Sequence, residues 1–177
     1  MSNFLKHLKT VSSHRRAVIK HCIKAGIPLR GFLHDLSKYS PTEFFEGVKY
    51  FQGTRSPNEA AREDYGYSKA WIHHKGRNRH HFEYWTDYDP KTKLLRPVKM
   101  PEIFVAEMFC DRVAASKIYK KDSYTDKHPL EYFVGGKGRR VIHPETSDEI
   151  ERLLIMLAEK GEKETFSYIK NVYLKGK

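Results

Sequence analysis

Apolar residues recur at intervals of three and four along most of the chain. Leu5, Leu8, Val11, Val18, Ile19, Cys22 and Ile23 mark one stripe near the start, and Ile103, Ala106, Phe109, Cys110, Val113, Ala114 and Ile118 mark another further on. This spacing follows the 3.6-residue turn of an α-helix with one buried face. Sustained alternation with period two, the mark of a half-buried strand, is absent.

Helix punctuation agrees with the periodicity. Ser40-Pro41-Thr42-Glu43 places a hydroxyl N-cap, a proline at the first helical position and a carboxylate three residues after the cap. Ser56-Pro57-Asn58-Glu59 repeats the device, and Thr146-Ser147-Asp148-Glu149 supplies a third start without proline. Gly26 before Pro28, and Gly161 after Leu157-Ala158, sit where helix C-caps belong. The pattern predicts helices near 3–25, 29–37, 41–51, 57–64, 68–76, 101–121, 129–134, 146–160 and 162–174. Two stretches lack a period: residues 86–99, which carry two prolines, and the basic glycine-rich run Gly135–Arg140. Both read as surface connections within one all-α, compact helical bundle spanning 1–177, with a motif-bearing core at about 10–121 and helices 146–174 packed on it.

Composition narrows the class. A chain of 177 residues, 39% hydrophobic and 13% aromatic, has enough apolar surface for one core, which excludes a disordered polypeptide. The two cysteines, Cys22 and Cys110, are too few and too far apart for a disulfide framework or a Cys-based zinc module, and read as reduced core thiols. No stretch approaches the roughly 20 apolar residues of a membrane span, and the opening Met-Ser-Asn-Phe-Leu-Lys-His lacks the apolar run of a secretory signal, so a cytoplasmic protein is expected. Thirty-three Lys+Arg against 22 Asp+Glu leave a net charge of +11, which points to anionic partners without choosing among phosphate, nucleotide and nucleic acid.

The ten histidines carry more information. His34-Asp35 ends a short apolar segment, Leu29–Leu33, and neighbours on a regular helix point about 100° apart. The two can face one cation only where the helix ends or the backbone is distorted. His14 lies upstream on the first helix, and Asp111 lies in the middle of a later one. Imidazole nitrogen together with carboxylate oxygen suits a divalent ion such as Mn, Fe, Co, Ni, Zn or Mg.

With His14 followed by Val18, then His34-Asp35-Leu36-Ser37-Lys38, then Asp111, the chain resembles the His, His-Asp, Asp pattern of the HD-domain metal-dependent phosphohydrolases. The segments HDLSKYSPTEF and HHKGRNRHHFEYW resemble a small bacterial and phage family within that group. The resemblance covers roughly residues 10–120. It implies an all-helical fold, a divalent metal held by His14, His34, Asp35 and Asp111, and hydrolysis of phosphoester bonds. It also favours His14 over His21 as the first ligand. The two stand seven residues apart on one helix face, roughly 10 Å by helical rise, so one ion cannot easily take both.

Further ligands are expected between the His-Asp pair and Asp111, where HD proteins with two metals place additional histidines. His73-His74 and His80-His81 lie there, and His74 and His81 are the expected ligands, one member of each pair facing the site. Lys75, Arg77 and Arg79 beside Gly76 form either a phosphate-binding turn, in which the guanidiniums make charge-assisted hydrogen bonds, or a solvated basic turn. Lys38 matches the lysine after the His-Asp pair of many HD proteins and can neutralise phosphate charge; otherwise it is a surface lysine. Glu107, one turn before Asp111 on the same face, can orient a bound water or a histidine, or pair with a basic residue. Glu43 is accounted for by its capping box.

Three functions follow as expectations. The first is a phosphohydrolase in which Asp35, Lys38 and Glu107 serve one or two divalent ions and a phosphate ester, with the many Tyr and Phe residues offering a stacking surface to a nucleotide base. The second is a di-iron oxygenase on the same helical scaffold. The third is a basic nucleic-acid-binding module that uses Lys49-Tyr50-Phe51 and the stretch Tyr168–Lys175.

Overall fold

Helix α1 (Asn3–Lys24) opens the computed structural model, which describes residues 1–176; Lys177 lies outside the described residues. Ser2 caps α1 by accepting a hydrogen bond from the Leu5 amide at 3.4 Å. Its C-terminus closes as the periodicity predicts. Gly26 takes φ +79°, the Ile27 amide donates to the Cys22 carbonyl at 2.9 Å, and the Gly26 amide donates to Ile23 at 3.1 Å. This is the Schellman arrangement, in which a left-handed glycine lets the orphan carbonyls of the last turn be satisfied.

The chain then turns back as α2 (Pro28–Leu33), which packs against α1. Helices α3 (Pro41–Lys49), α4 (Pro57–Tyr65) and α5 (Lys69–Lys75) form a second group, with α3 against both others. Ser40, Ser56 and Ser68 cap these three starts with their hydroxyls. Helix α6 (Glu102–Lys120) runs through the centre, packed against α1 and α8. Six successive residues, Val105 to Cys110, are buried, the mark of a helix enclosed on every side. Helix α7 (His128–Gly135) and the long α8 (Pro144–Tyr168) complete the bundle, and a π turn, Ile169–Tyr173, follows. Val18 and Cys22 of α1, Phe109 and Val113 of α6, and Leu153, Leu154 and Leu157 of α8 meet in the core with no exposed surface. The fold is all-α, and among the described residues no helix is long and apolar enough to cross a membrane.

Three expectations are corrected. The stretch 86–99 is not structureless: β1 (Thr86–Tyr88) and β2 (Leu95–Pro97) pair antiparallel as a small hairpin, too short to show alternation in sequence. Helix α8 starts at Pro144, with His143 at the N-cap, rather than after a Thr146 cap. Thr146 is buried and its hydroxyl accepts from the Met100 amide at 2.9 Å, so it ties α8 to the start of α6. The run 135–140 is ordered by a short 3-10 turn, Lys137–Arg139. Gly161, expected as a helix end, does break α8: it takes φ 76° and ψ 174° between two helical stretches.

Candidate metal centre

The end of α2 creates the geometry that His34 and Asp35 require. His34 leaves the helix at φ −55°, ψ 129°, and Asp35 takes the left-handed conformation φ 54°, ψ 25°, uncommon for a residue with a side chain. A short 3-10 turn, Leu36–Tyr39, follows. Arg15 of α1 holds this corner by donating to the carbonyls of Phe32 and, at 3.2 Å, of His34. The residue beside it, His14, faces the same cluster.

Asp35 stands at the middle of two groups of donors. Its Oδ2 lies 3.3 Å from His34 Nε2 and 3.9 Å from His14 Nε2. Asp111 closes that first group, with Oδ1 at 2.9 Å from His14 Nε2 and 3.5 Å from His34 Nε2. Asp35 Oδ1 faces the second group, at 3.3 Å from His74 Nε2 and 3.4 Å from His80 Nε2. His81 joins it through Nε2, 2.9 Å from that of His74. Each group brings four candidate ligand atoms within 4.8 Å of one another, and the two share Asp35.

The cluster meets the chemical requirements of a cation site. His14 Nε2, His34 Nε2, His80 Nε2 and both Asp35 oxygens are sealed from solvent, yet none makes a hydrogen bond of acceptable geometry. Five buried polar atoms whose close neighbours are one another, Asp111 and the Lys38 ammonium are costly in the absence of a shared partner. Burial opposes ionisation of Asp35, but His34, Lys38 and His74 outweigh it and hold the carboxyl well below the ordinary carboxylate range. Asp111 is likewise held low by His14 and His34 against its burial. Burial and neighbouring imidazoles push His80 and His81 down, so both are neutral, as ligand nitrogens must be. His34 goes the other way: burial opposes its charging, but Asp35, Asp111 and Glu107 hold a proton on it. The carboxylates thus demand positive charge where a divalent ion can supply it.

Two further carboxylates orient the imidazoles. Glu107, fully buried, accepts from His34 Nδ1 at 3.1 Å, faces His80 Nδ1 at 3.3 Å, and pairs through its other oxygen with Arg30 Nε at 2.7 Å. Opposed by burial but bonded by both histidines, it is pushed down to about 2. Glu43 plays the same part on the other side, 2.7 Å from His74 Nδ1 and 2.6 Å from His73 Nδ1. For His34, His80 and His74 the carboxylate takes Nδ1 and leaves Nε2 turned to the cluster, the usual support of a metal-binding histidine. The capping box therefore explains only the Glu43 backbone amide, which donates to Ser40 Oγ at 3.5 Å, and not its side chain.

The structure brings His14, His34, Asp35, His74, His81 and Asp111 together, with Lys38 Nζ on Asp35 Oδ2 at 2.7 Å. It adds His80, which an alternation argument misses because residues 78–81 form a turn whose neighbours both face inward. Two doublet signals, His80-His81 and His34-Asp35, share that property. His21 stands apart: its Nδ1 meets the Cys110 carbonyl at 3.3 Å and its ring stacks on Phe166 at 5.4 Å. Lys75, Arg77 and Arg79 do not line the cavity at the site. Arg77 turns back onto the His73 carbonyl at 3.3 Å, and Arg79 lies over Tyr84 and Phe104, 5.9 Å from each ring. The cavity, about 240 Å³, is lined instead by Lys38 and Arg55 among its cations, and by His14, His74, His81 and Asp111. Phe51, Trp71 and Tyr119 form much of its apolar wall.

Fold and site together define an all-helical domain with a buried His/Asp/Glu cluster able to hold a metal ion. The chain belongs to DUF5662, a family of unknown function whose model matches residues 3–156. No curated protein and no solved structure matches it significantly.

Proposed function

We propose that this protein is a divalent-metal-dependent phosphohydrolase of the HD type, acting on a phosphate ester and most naturally on a nucleotide. One observation carries the reading: the two oxygens of Asp35 each face a separate set of histidines, with Asp35 and the Nε2 atoms of His14, His34 and His80 sealed from solvent and making no hydrogen bond of acceptable geometry. His14, His34, Asp35 and Asp111 would hold one ion, and Asp35 with His74, His80 and His81 a second. Mixed imidazole and carboxylate donors fit Mn, Fe, Co, Ni or Zn, with Mg the least suited to the nitrogen-rich set. A bound ion supplies an activated water near neutral pH and polarises a phosphoryl oxygen.

The chain's own residues account for the rest. Lys38, one-third exposed at the cavity, offers an ammonium to the charge that develops on the phosphoryl oxygens. Glu43 and Glu107 keep the imidazoles fixed while substrate enters. Phe51, Trp71 and Tyr119 give a planar base a surface to stack on. A cytoplasmic setting, where nucleotides are plentiful, accompanies this reading.

The test is phosphate release from a panel of nucleotides and simple phosphate esters, with Asp35→Ala as the control. Release by the wild type that falls at least about a hundredfold in the variant is expected, since the shared ligand is lost. Equal release by both contradicts the proposal. Five imidazoles around one carboxylate also favour a second reading, oxygen activation at two irons. Bound iron with oxygen consumption and no phosphate release identifies it. Salt-dependent binding of RNA or DNA that is indifferent to Asp35→Ala identifies a nucleic-acid module instead.

A further inference from the structure

The cavity at the metal centre runs on along one face of α1. His14 lines it at the cluster, Val11 and Thr10 line it about one turn back, and His7 lines it two turns back, roughly 10 Å away by helical rise. His7 belongs to none of the groups of donors that could hold an ion. It is nevertheless 8% exposed, and its Nδ1 is sealed from solvent without a hydrogen-bond partner. A buried imidazole nitrogen left unbonded costs free energy that an apolar side chain at the same position would avoid.

The surroundings hold that imidazole in place. Its ring centre lies 5.3 Å from that of Phe44 and 5.8 Å from that of Phe51, which itself lines the cavity. Gly47 of α3 leaves the room for it, because a Cβ there would run into the imidazole at Nε2. Burial, with a contribution from Lys38, lowers the pKa of His7 from 6.5 to about 4, so the ring is neutral at ordinary pH. A neutral imidazole offers one N–H donor and one acceptor nitrogen. Those suit an uncharged polar partner, not a second phosphate.

We propose that His7 is the specificity residue of a nucleoside subsite at the far end of this cavity, where a base lying against Phe51 presents its hydrogen-bonding edge to the imidazole. The separation along α1 keeps a phosphate held at the cluster from touching His7, yet lies within the span of a nucleoside attached to that phosphate. Phe51 supplies the flat apolar contact, and His7 supplies the directional one that tells bases apart. The subsite rests on the nucleotide reading of the cavity, but it concerns the part of the substrate that carries no phosphate.

Adenosine, guanosine, cytidine and uridine are tested by equilibrium dialysis against the full-length protein as purified. At least one is expected to bind saturably, with an affinity that falls about three- to tenfold in His7→Phe, the loss that one hydrogen bond gives. Gly47→Ala, which drives the imidazole from its place, should give a similar fall, and His7→Gln, which keeps a donor and an acceptor, a smaller one. Circular dichroism checks the fold of each variant, and Gly47→Ala decides if His7→Phe does not fold. Absence of saturable binding of any nucleoside to the wild type overturns the proposal. So do unchanged affinity in His7→Phe and Gly47→Ala, and binding of free ribose as tight as that of the nucleosides. Phosphate release is read separately. Nucleoside binding that needs His7, without release from any ester, leaves this subsite standing and contradicts the phosphohydrolase; release from simple esters with no nucleoside bound contradicts the subsite alone.

Discussion

At the residue scale the histidines of the site are held through their Nδ1 atoms by two carboxylates, Glu107 and Glu43. Replacing Glu107 by Gln keeps the shape but removes the charge that fixes His34 and His80. Metal affinity measured by competition with a chromophoric chelator is expected to fall about 10- to 100-fold, with Glu43→Gln in the same range through His74. Unchanged affinity in both would place these carboxylates outside the metal's support. His21 has a separate consequence. Burial, with a contribution from Lys117, lowers its pKa from 6.5 to about 4, so the fold holds it neutral while the unfolded chain protonates it. Its contribution is complete above about pH 6.5 and is lost as the pH falls toward 4, at most about 3 kcal/mol. Urea unfolding of His21→Gln should therefore depend less steeply on pH across that window than the wild type. An identical slope would show that His21 is not held neutral.

The residue scale is also where the sequence was hardest to read. His14, His34, Asp35 and Asp111 are spread over nearly a hundred positions, and in the sequence only the resemblance to a family pattern joins them. His80 and Glu43 had visible identities but hidden directions. Which way a side chain points in a turn, or beyond a cap, depends on tertiary neighbours that no local period encodes. Lys75, Arg77 and Arg79 illustrate the converse: their charge was legible, but helix α5 and the turn after it carry them past the cavity rim.

At the element scale, close approach of α1 and α2 sets the His34-Asp35 corner. A Cβ on Gly31 would lie 2.7 Å from Cys22 Cβ and 3.1 Å from Ile19 Cα. Gly31→Ala must push the helices apart, at a cost of about 1–3 kcal/mol in denaturant unfolding. The same shift should weaken metal binding, because α1 carries His14 and α2 ends at His34. A variant as stable as the wild type would mean that the contact relaxes freely. Helix periods and caps made most elements legible. The hairpin 86–97 escaped because three-residue strands show no alternation, and the Thr146 signal misled because its hydroxyl serves Met100.

At the scale of the whole molecule, α6 lies between α1 and α8 and places Glu107 and Asp111 against donors from α1, the α2 corner and the turn after α5. A ligand that joins these elements stabilises all of them at once. An ion that binds only the folded chain, present at a hundred times its dissociation constant, adds about 2.7 kcal/mol. For a domain of this size that raises the melting temperature by roughly 5–11 °C. Thermal scans with and without ion should show this rise, reversed by chelator and absent in Asp35→Ala; no shift with any divalent ion would contradict it.

The most direct measurement is elemental analysis of the protein purified without added metal, for the wild type and Asp35→Ala side by side. One or two divalent ions per chain in the wild type, and loss of bound ion in a variant that keeps its helical circular dichroism, is the predicted result. Equal metal content in the two proteins, or a wild type that carries none and takes up none on dialysis against Mn, Fe, Co, Ni, Zn or Mg, would contradict the assignment of this cluster as a metal centre.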